Sequence, residues 1–167
     1  PDYGSRMTSS IYVRGFGSRI DQPVVGLNID EMPVLNKNSY DFDFFDIERV
    51  QVVRGAQGAL FGRNTSGGAI NVYTISPFNS QGKRLSLEYG NNNNLRIKAS
   101  HYASPSKRFG WSASLYYSHN DGYFMNRERG ENCDGGDNLA MRLRTQWKSF
   151  AGWSIDNTMT LGYTDEG

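Results

Sequence analysis

From Arg84 onward, hydrophobic and polar residues alternate one for one. Leu85, Leu87 and Tyr89 oppose Ser86 and Glu88; Leu95, Ile97 and Ala99 oppose Arg96, Lys98 and Ser100; Trp111, Ala113, Leu115 and Tyr117 oppose Ser112, Ser114 and Ser118. Leu139, Met141, Leu143 and Trp147 then oppose Arg142, Arg144, Gln146 and Lys148, and Trp153, Ile155, Met159, Leu161 and Tyr163 oppose Ser154, Asp156, Thr158 and Thr160. Successive side chains of a strand point to opposite faces, so the pattern predicts about five strands of about ten residues, each with one apolar and one polar side and with aromatics near the ends. That is the signature of antiparallel transmembrane β-barrel strands, although a soluble β-rich sandwich produces the same alternation. The connectors help to separate the two. Breaks at 104–108 and 149–152 are short, whereas 120–138 is long, glycine-rich and charged, as expected of short periplasmic turns alternating with a longer external loop. Basic residues on the polar sides of the second and fourth strands are costly toward lipid and comfortable toward a hydrated lumen.

Before Arg84 the alternation is shorter and more broken. Ile11 and Val13 share one face of a segment from Ser10 to Arg14 that ends at Gly15-Phe16-Gly17. Val25, Leu27 and Ile29 alternate with Gly26, Asn28 and Asp30, predicting a half-buried strand closed by Asp30-Glu31-Met32-Pro33. Residues 36–46 mix polar groups with Tyr40, Phe42, Phe44 and Phe45, and predict a loop leading to a capped short helix near Phe44 to Ile47. The stretch 46–72 opens with an acidic turn and continues as a short strand with Val50 and Val52 on one face. It then breaks into a loop with glycines at 55, 58, 62, 67 and 68 before extended structure resumes at Ala69.

Several chemistries fail on their own motifs. Gly15-Phe16-Gly17-Ser18-Arg19-Ile20 places Ile20 where a dinucleotide fingerprint needs its third glycine. Gly62 to Gly68 has phosphate-loop spacing, but Gly68 stands where the lysine is needed. Asp41, Asp43 and Asp46 lack the central glycine and distal glutamate of a calcium loop, and Asn64-Thr65-Ser66 matches a glycosylation sequon by composition alone. His101 and His119 are isolated in sequence, and no serine lies in a nucleophile-elbow pattern, so no catalytic constellation emerges and a non-enzyme is expected.

Composition narrows the class further. The chain has 167 residues with 37% hydrophobic and 13% aromatic content. Its mean hydropathy of −0.63 is low, which suits strands with one wet face. A net charge of +1 with mixed signs gives no electrostatic case for nucleic acid. Cys133 is the only cysteine, which excludes an intrachain disulfide framework or a cysteine zinc cluster and leaves it as a loop thiol. No run of about 18 apolar residues encodes a transmembrane helix, but closed barrels cross membranes without one. The start at Pro1-Asp2-Tyr3 has no basic and apolar leader, so the chain is expected to be an internal fragment with any export signal outside it.

The long glycine-rich stretch carries a family resemblance. Asp46-Ile47-Glu48-Arg49-Val50, Arg54-Gly55, Leu60-Phe61-Gly62 and Gly67-Gly68-Ala69-Ile70-Asn71 closely resemble the plug domain of the TonB-dependent outer-membrane receptors, and Arg14-Gly15 resembles the family's first Arg-Gly signature. Ala56 stands where that family usually has proline, and Glu31 where it usually has glycine. The resemblance implies an α+β plug domain, a mixed small sheet with short helices, over residues 1–79, followed over 80–167 by the first strands of a plugged 22-stranded barrel. It implies active uptake of a scarce ligand across the outer membrane of a Gram-negative bacterium, typically a ferric siderophore, with a carbohydrate or other nutrient as the alternative. The implied partners are the TonB energy-transducing complex, reached through a TonB box N-terminal to Pro1, a small-molecule ligand such as an iron chelate, and outer-membrane lipid. No cofactor or resident metal is implied. Arg14 and Arg54 match plug arginines that pair with glutamates on the inner barrel wall, a latch that Gly15 and Gly55 would make room for. The plug loops that meet ligand correspond to Gly17–Pro23, with Arg19 and Gln22, and Asn36–Phe42, with Asn36, Asn38 and Tyr40; these supply a cationic fork, amide groups and a phenol suited to a polar chelate.

Overall fold

A computed structural model describes residues 11–12, 24–34, 45–55, 58, 64–126, 131–132 and 135–166. The chain divides into two compact units, 1–75 and 76–167.

The first unit is built on a four-stranded mixed sheet of β1 (Val25–Ile29), β2 (Met32–Val34), β3 (Ile47–Arg54) and β4 (Gly68–Thr74), in the order β2-β1-β4-β3. β1 runs parallel to β4, with Val25 opposite Gly68 and Ile29 opposite Val72, while β2 and β3 pair antiparallel with their neighbours. Leu27 and Val72 centre the core, and Ile11, Ile29, Val34, Ile47 and Ile70 pack against them. The half-burial expected of β1 is exceeded because the strand is central: Gly26 and Asn28 are buried along with Val25 and Leu27. A Cβ on Gly26 would lie 2.5 Å from Thr65 Cγ2, so glycine is what lets the buried Thr65 close over the strand. Asn28 donates its amide to Asn71 Oδ1 at 2.7 Å, joining the two parallel partners by their side chains.

The β1–β2 connection is a two-residue hairpin in which both Asp30 (φ 48°) and Glu31 (φ 68°) are left-handed. Right-handed strand twist favours this turn, and glycine or asparagine usually supplies it. Asp30 is anchored across the sheet, its carboxylate accepting from Thr74 N at 2.8 Å and Thr74 Oγ1 at 2.6 Å. Glu31 carries the strain of its position with a full side chain.

Short helices were expected in this unit, and the structure corrects the one near 44–47. Among the described residues only Gly58 is helical, and the segment expected as a capped helix near 44–47 instead turns at Asp46 and enters β3 at Ile47. Asp46 has φ 65°, which no right-handed helix accommodates. Its carbonyl accepts Ile75 N at 3.1 Å, tying the start of β3 to the end of β4. Ile11 and Tyr12 lie outside any strand, and the rest of the extended segment expected at Ser10 to Arg14 falls outside the described residues.

The second unit is a five-stranded antiparallel meander of β5 (Gly82–Gly90), β6 (Asn94–Ser106), β7 (Phe109–Asn120), β10 (Gly136–Lys148) and β11 (Ser154–Glu166), with β8 (Met125–Asn126) and β9 (Glu131–Asn132) forming a small hairpin in the β7–β10 loop. The register keeps the two sets of side chains apart over the whole sheet. Lys83, His101, Ala113, Leu143 and Met159 share one row on one face, and Arg84, Ser100, Ser114, Arg142 and Thr160 share the next row on the other.

The burial of these faces is inverted relative to a water-soluble sheet. Ser112, Ser114, Ser118, Asn138, Arg142 and Arg144 are buried, whereas Leu85 is 78% exposed, Met141 51% and Leu161 57%. An apolar face this extensive is costly against water and suited to hydrocarbon. This separates membrane strands from the soluble sandwich that the alternation alone allows. Aromatic side chains flank the apolar rows: Tyr89, Tyr117 and Tyr163 toward the loop end, Trp111, Trp147 and Trp153 toward the turn end. Trp147 and Trp153 meet edge to face at 5.3 Å.

Candidate functional site

The polar face of the second unit is a charged wall. Among its described side chains, Arg84, Arg96, Lys98, Arg142, Arg144 and Lys148 face the same side as only two carboxylates, Glu88 and Asp156. Each carboxylate is held by its own sheet. Glu88 lies 3.2 Å from Lys98 Nζ and 3.8 Å from Arg96 Nη1, a cross-strand cluster open to solvent. Asp156 accepts both arms of the buried Arg144 guanidinium, from Nε at 3.0 Å and Nη2 at 2.6 Å, the fork geometry that arginine makes with a carboxylate. Gln146 adds an amide donor to Asp156 at 2.7 Å, and its own carbonyl accepts the Ser76 hydroxyl at 2.7 Å. Arg142 reaches Thr160 Oγ1 at 3.5 Å. The strands place these groups at alternate positions, so the wall follows directly from the period-two pattern.

A second polar cluster ties loops together at the opposite end from the short turns. Asp121 N donates to Asn92 O at 3.0 Å, Asn92 Nδ2 donates to Gly122 O at 3.0 Å, and Asn132 Nδ2 donates to Asp121 O at 2.8 Å, so the 91–93 turn and the 121–135 loop hold each other. His119 sits between Asp137, 3.0 Å from Nδ1, and Asp121, 3.0 Å from Nε2; Tyr117 donates to the same Asp137 oxygen at 2.7 Å. A carboxylate oxygen thus lies against each ring nitrogen, and the imidazole bridges the two acids. Asp121 is two residues from His119, but Asp137 is 18 away, and the cross-strand register of β7 with β10 is what brings it to the ring. Among the described residues, no group of three or more His, Cys, Asp or Glu side chains could hold a metal ion.

The residues of the glycine-rich stretch fall on β3, β4 and their connections. Arg54 ends β3 with an exposed side chain, opposite Gly68 of β4. Gly55 follows with φ 92° and has open space where a Cβ would lie, so it is the backbone conformation that calls for glycine, and the close approach expected there is absent among the described residues. Gly68 answers to both needs, with φ 143° and a Cβ position 2.6 Å from Val53 O. Gly67 N donates to Val24 O at 2.8 Å. Glu48 lies in the register shift between Ile47 and Arg49, and Arg49 stacks its guanidinium over Tyr73 at 4.0 Å. Asn71 is buried against Asn28. Arg14, Arg19, Gln22, Asn36, Asn38, Tyr40, Gly62 and Cys133 lie outside the described residues.

Comparison with known proteins gives this geometry its context. Residues 1–69 match the family model of the TonB-dependent Receptor Plug Domain. The chain is 37% identical over 76 residues to the pesticin receptor of Yersinia pestis, a match covering 44% of this chain and 11% of that protein. It is 30% identical over 163 residues to the vitamin B12 transporter BtuB of Vibrio vulnificus strain YJ016, covering 91% of this chain and 25% of that protein. In backbone it superposes on the ferric yersiniabactin uptake receptor FyuA of Yersinia pestis with a TM-score of 0.82 at 24% identity, over 96% of this chain and 26% of that structure. The chain thus spans roughly a tenth to a quarter of the length of these proteins, which are receptors and transporters by name and not enzymes. Plug motif, sheet and relatives agree on a fragment of the TonB-dependent receptor kind: residues 1–69 match the plug domain, and the chain as a whole is similar to TonB-dependent receptors of the Gram-negative outer membrane.

Proposed function

We propose that this chain is the plug and the opening barrel strands of an active uptake receptor for a ferric siderophore. The observation that carries the reading is one chain holding both a plug-domain match at residues 1–69 and a sheet whose polar side chains are buried on β7 and β10 while its apolar face is exposed. In this reading the plug runs to about residue 79, the sheet is one arc of a 22-stranded barrel, and the TonB complex supplies the energy. Siderophore uptake is favoured because the ferric yersiniabactin uptake receptor FyuA shares the backbone. The 30% identity with BtuB across nearly the whole chain favours vitamin B12 as the second reading.

The ligand-contacting loops are proposed at 17–23 and 36–42, through Arg19, Gln22, Asn36, Asn38 and Tyr40. An Arg19→Ala/Tyr40→Ala receptor is expected to bind its ligand more weakly at unchanged expression, and equal affinity would move the site to barrel loops. The function itself is tested by growth. A strain lacking the receptor, with the full-length gene restored, is expected to regain growth on one of a panel of ferric siderophores under iron limitation. Restored growth only on vitamin B12, or on a glycan, would replace the ligand assignment; independence from TonB would remove the mechanism.

A further inference from the structure

On the apolar face of the second unit, a groove of about 620 Å³ is lined by Leu85, Ala99, Ala113, Leu115 and Leu143 among others. It exists because two small residues lie on a diagonal of the sheet. Ala113 follows His101 in one row and Ala99 follows Leu85 in the next, so the larger neighbours stand up around a shallow floor. One end of this groove is chemically out of place. Lys83, two positions into β5, and His101, its cross-strand partner, both face the apolar side and both line the groove. His101 also meets Trp111 edge to face at 4.9 Å.

A lysine facing hydrocarbon is costly at the middle of a bilayer and tolerable near its edge, where the stem lies along apolar surface and the ammonium reaches the headgroups. Lys83 and His101 lie nearer the short turns than the Ala99 row does. Reading those turns as periplasmic, as their short length implies for the proposed barrel, puts the pair toward the leaflet built of glycerophospholipids. We propose that the groove seats one anionic glycerophospholipid of that leaflet, an acyl chain lying over Ala99 and Ala113 and the phosphate held between Lys83 and His101. Charge complementarity selects the occupant: an acyl chain alone would fill the apolar floor but would leave the Lys83 ammonium without an anion. Trp111 beside His101 is the kind of ring that belongs at the headgroup level.

The test uses the full-length receptor in nanodiscs of phosphatidylcholine containing phosphatidylglycerol, with retained lipids counted by native mass spectrometry. Wild type is expected to keep one phosphatidylglycerol in preference to phosphatidylcholine. Lys83→Gln with His101→Gln is expected to lower that preference by about fivefold or more, fivefold being about 1 kcal/mol, the loss of the one lysine charge near an anionic surface. Lys83→Arg should retain it, and Ala99→Leu should abolish it with both basic groups in place. Heat-modifiable electrophoretic mobility reports folding of each variant. Equal preference in wild type and the double variant, or in wild type and Ala99→Leu, would overturn the proposal, and neither result touches the growth assay that tests uptake.

Discussion

Single residues in this chain take conformations that their types resist, and each time a neighbour explains it. Glu31 holds φ 68° because the right-handed twist of β1 and β2 selects a turn with two left-handed residues, and because Asp30 is fixed to Thr74 by two hydrogen bonds. Left-handed backbone costs a residue with a Cβ roughly 1 kcal/mol relative to glycine. Glu31→Gly is therefore expected to stabilise the hairpin by about that amount, less the entropy that glycine adds to the unfolded chain. Slower hydrogen exchange at Met32 and Val34 in the full-length receptor is the measurement, and unchanged or faster exchange would contradict it. Gly68 shows the opposite case, where no substitution is free: any side chain meets Val53 O and must also take φ 143°.

At the scale of elements, alternation was the legible signal and packing was not. The five long strands follow from positions such as Leu85/Leu87 and Met141/Leu143, because period two has no competing explanation over ten residues. The helix expected near Phe44 to Ile47 is absent because the aspartate there bends the chain, through the left-handed φ of Asp46, where a helix cap was expected. Burial of Gly26 and Asn28 was not legible either, since it depends on β4 lying parallel beside β1, a pairing between segments 43 residues apart. Of the candidate site, the basic polar face could be read from the strands, but the Arg144–Asp156 fork and the His119 bridge required the register. The two faces should respond differently to charge. Met141→Arg, toward lipid in the deeper Ala99 row, is expected to cost about 2–4 kcal/mol of folding into bilayers, while Thr158→Lys on the polar face costs under about 1 kcal/mol. Equal costs, read from denaturant titrations in lipid vesicles, would contradict the assignment of faces.

For the whole molecule, the two units answer to different solvents. The first has an ordinary aliphatic core around Leu27 and Val72, and the second exposes Leu85, Met141 and Leu161 while it buries the guanidinium groups of Arg142 and Arg144. The plug reading adds a proposed latch, Arg14 and Arg54 on inner-wall glutamates. In this sheet the described polar-face carboxylates Glu88 and Asp156 already have cations of their own, so the proposed latch calls for carboxylates other than these two. An Arg14→Ala/Arg54→Ala receptor is expected to admit large antibiotics faster than wild type, and identical leakage would remove the latch.

The central claim is that the apolar face meets lipid while the polar face lines the interior. Spin labels at each position from 139 to 144, in a full-length receptor with Cys133 replaced by serine and embedded in lipid, measure it directly. Collision with oxygen is expected to rise at 139, 141 and 143 and fall at 140, 142 and 144. Uniform accessibility along β10, or the opposite phase, would contradict the membrane assignment.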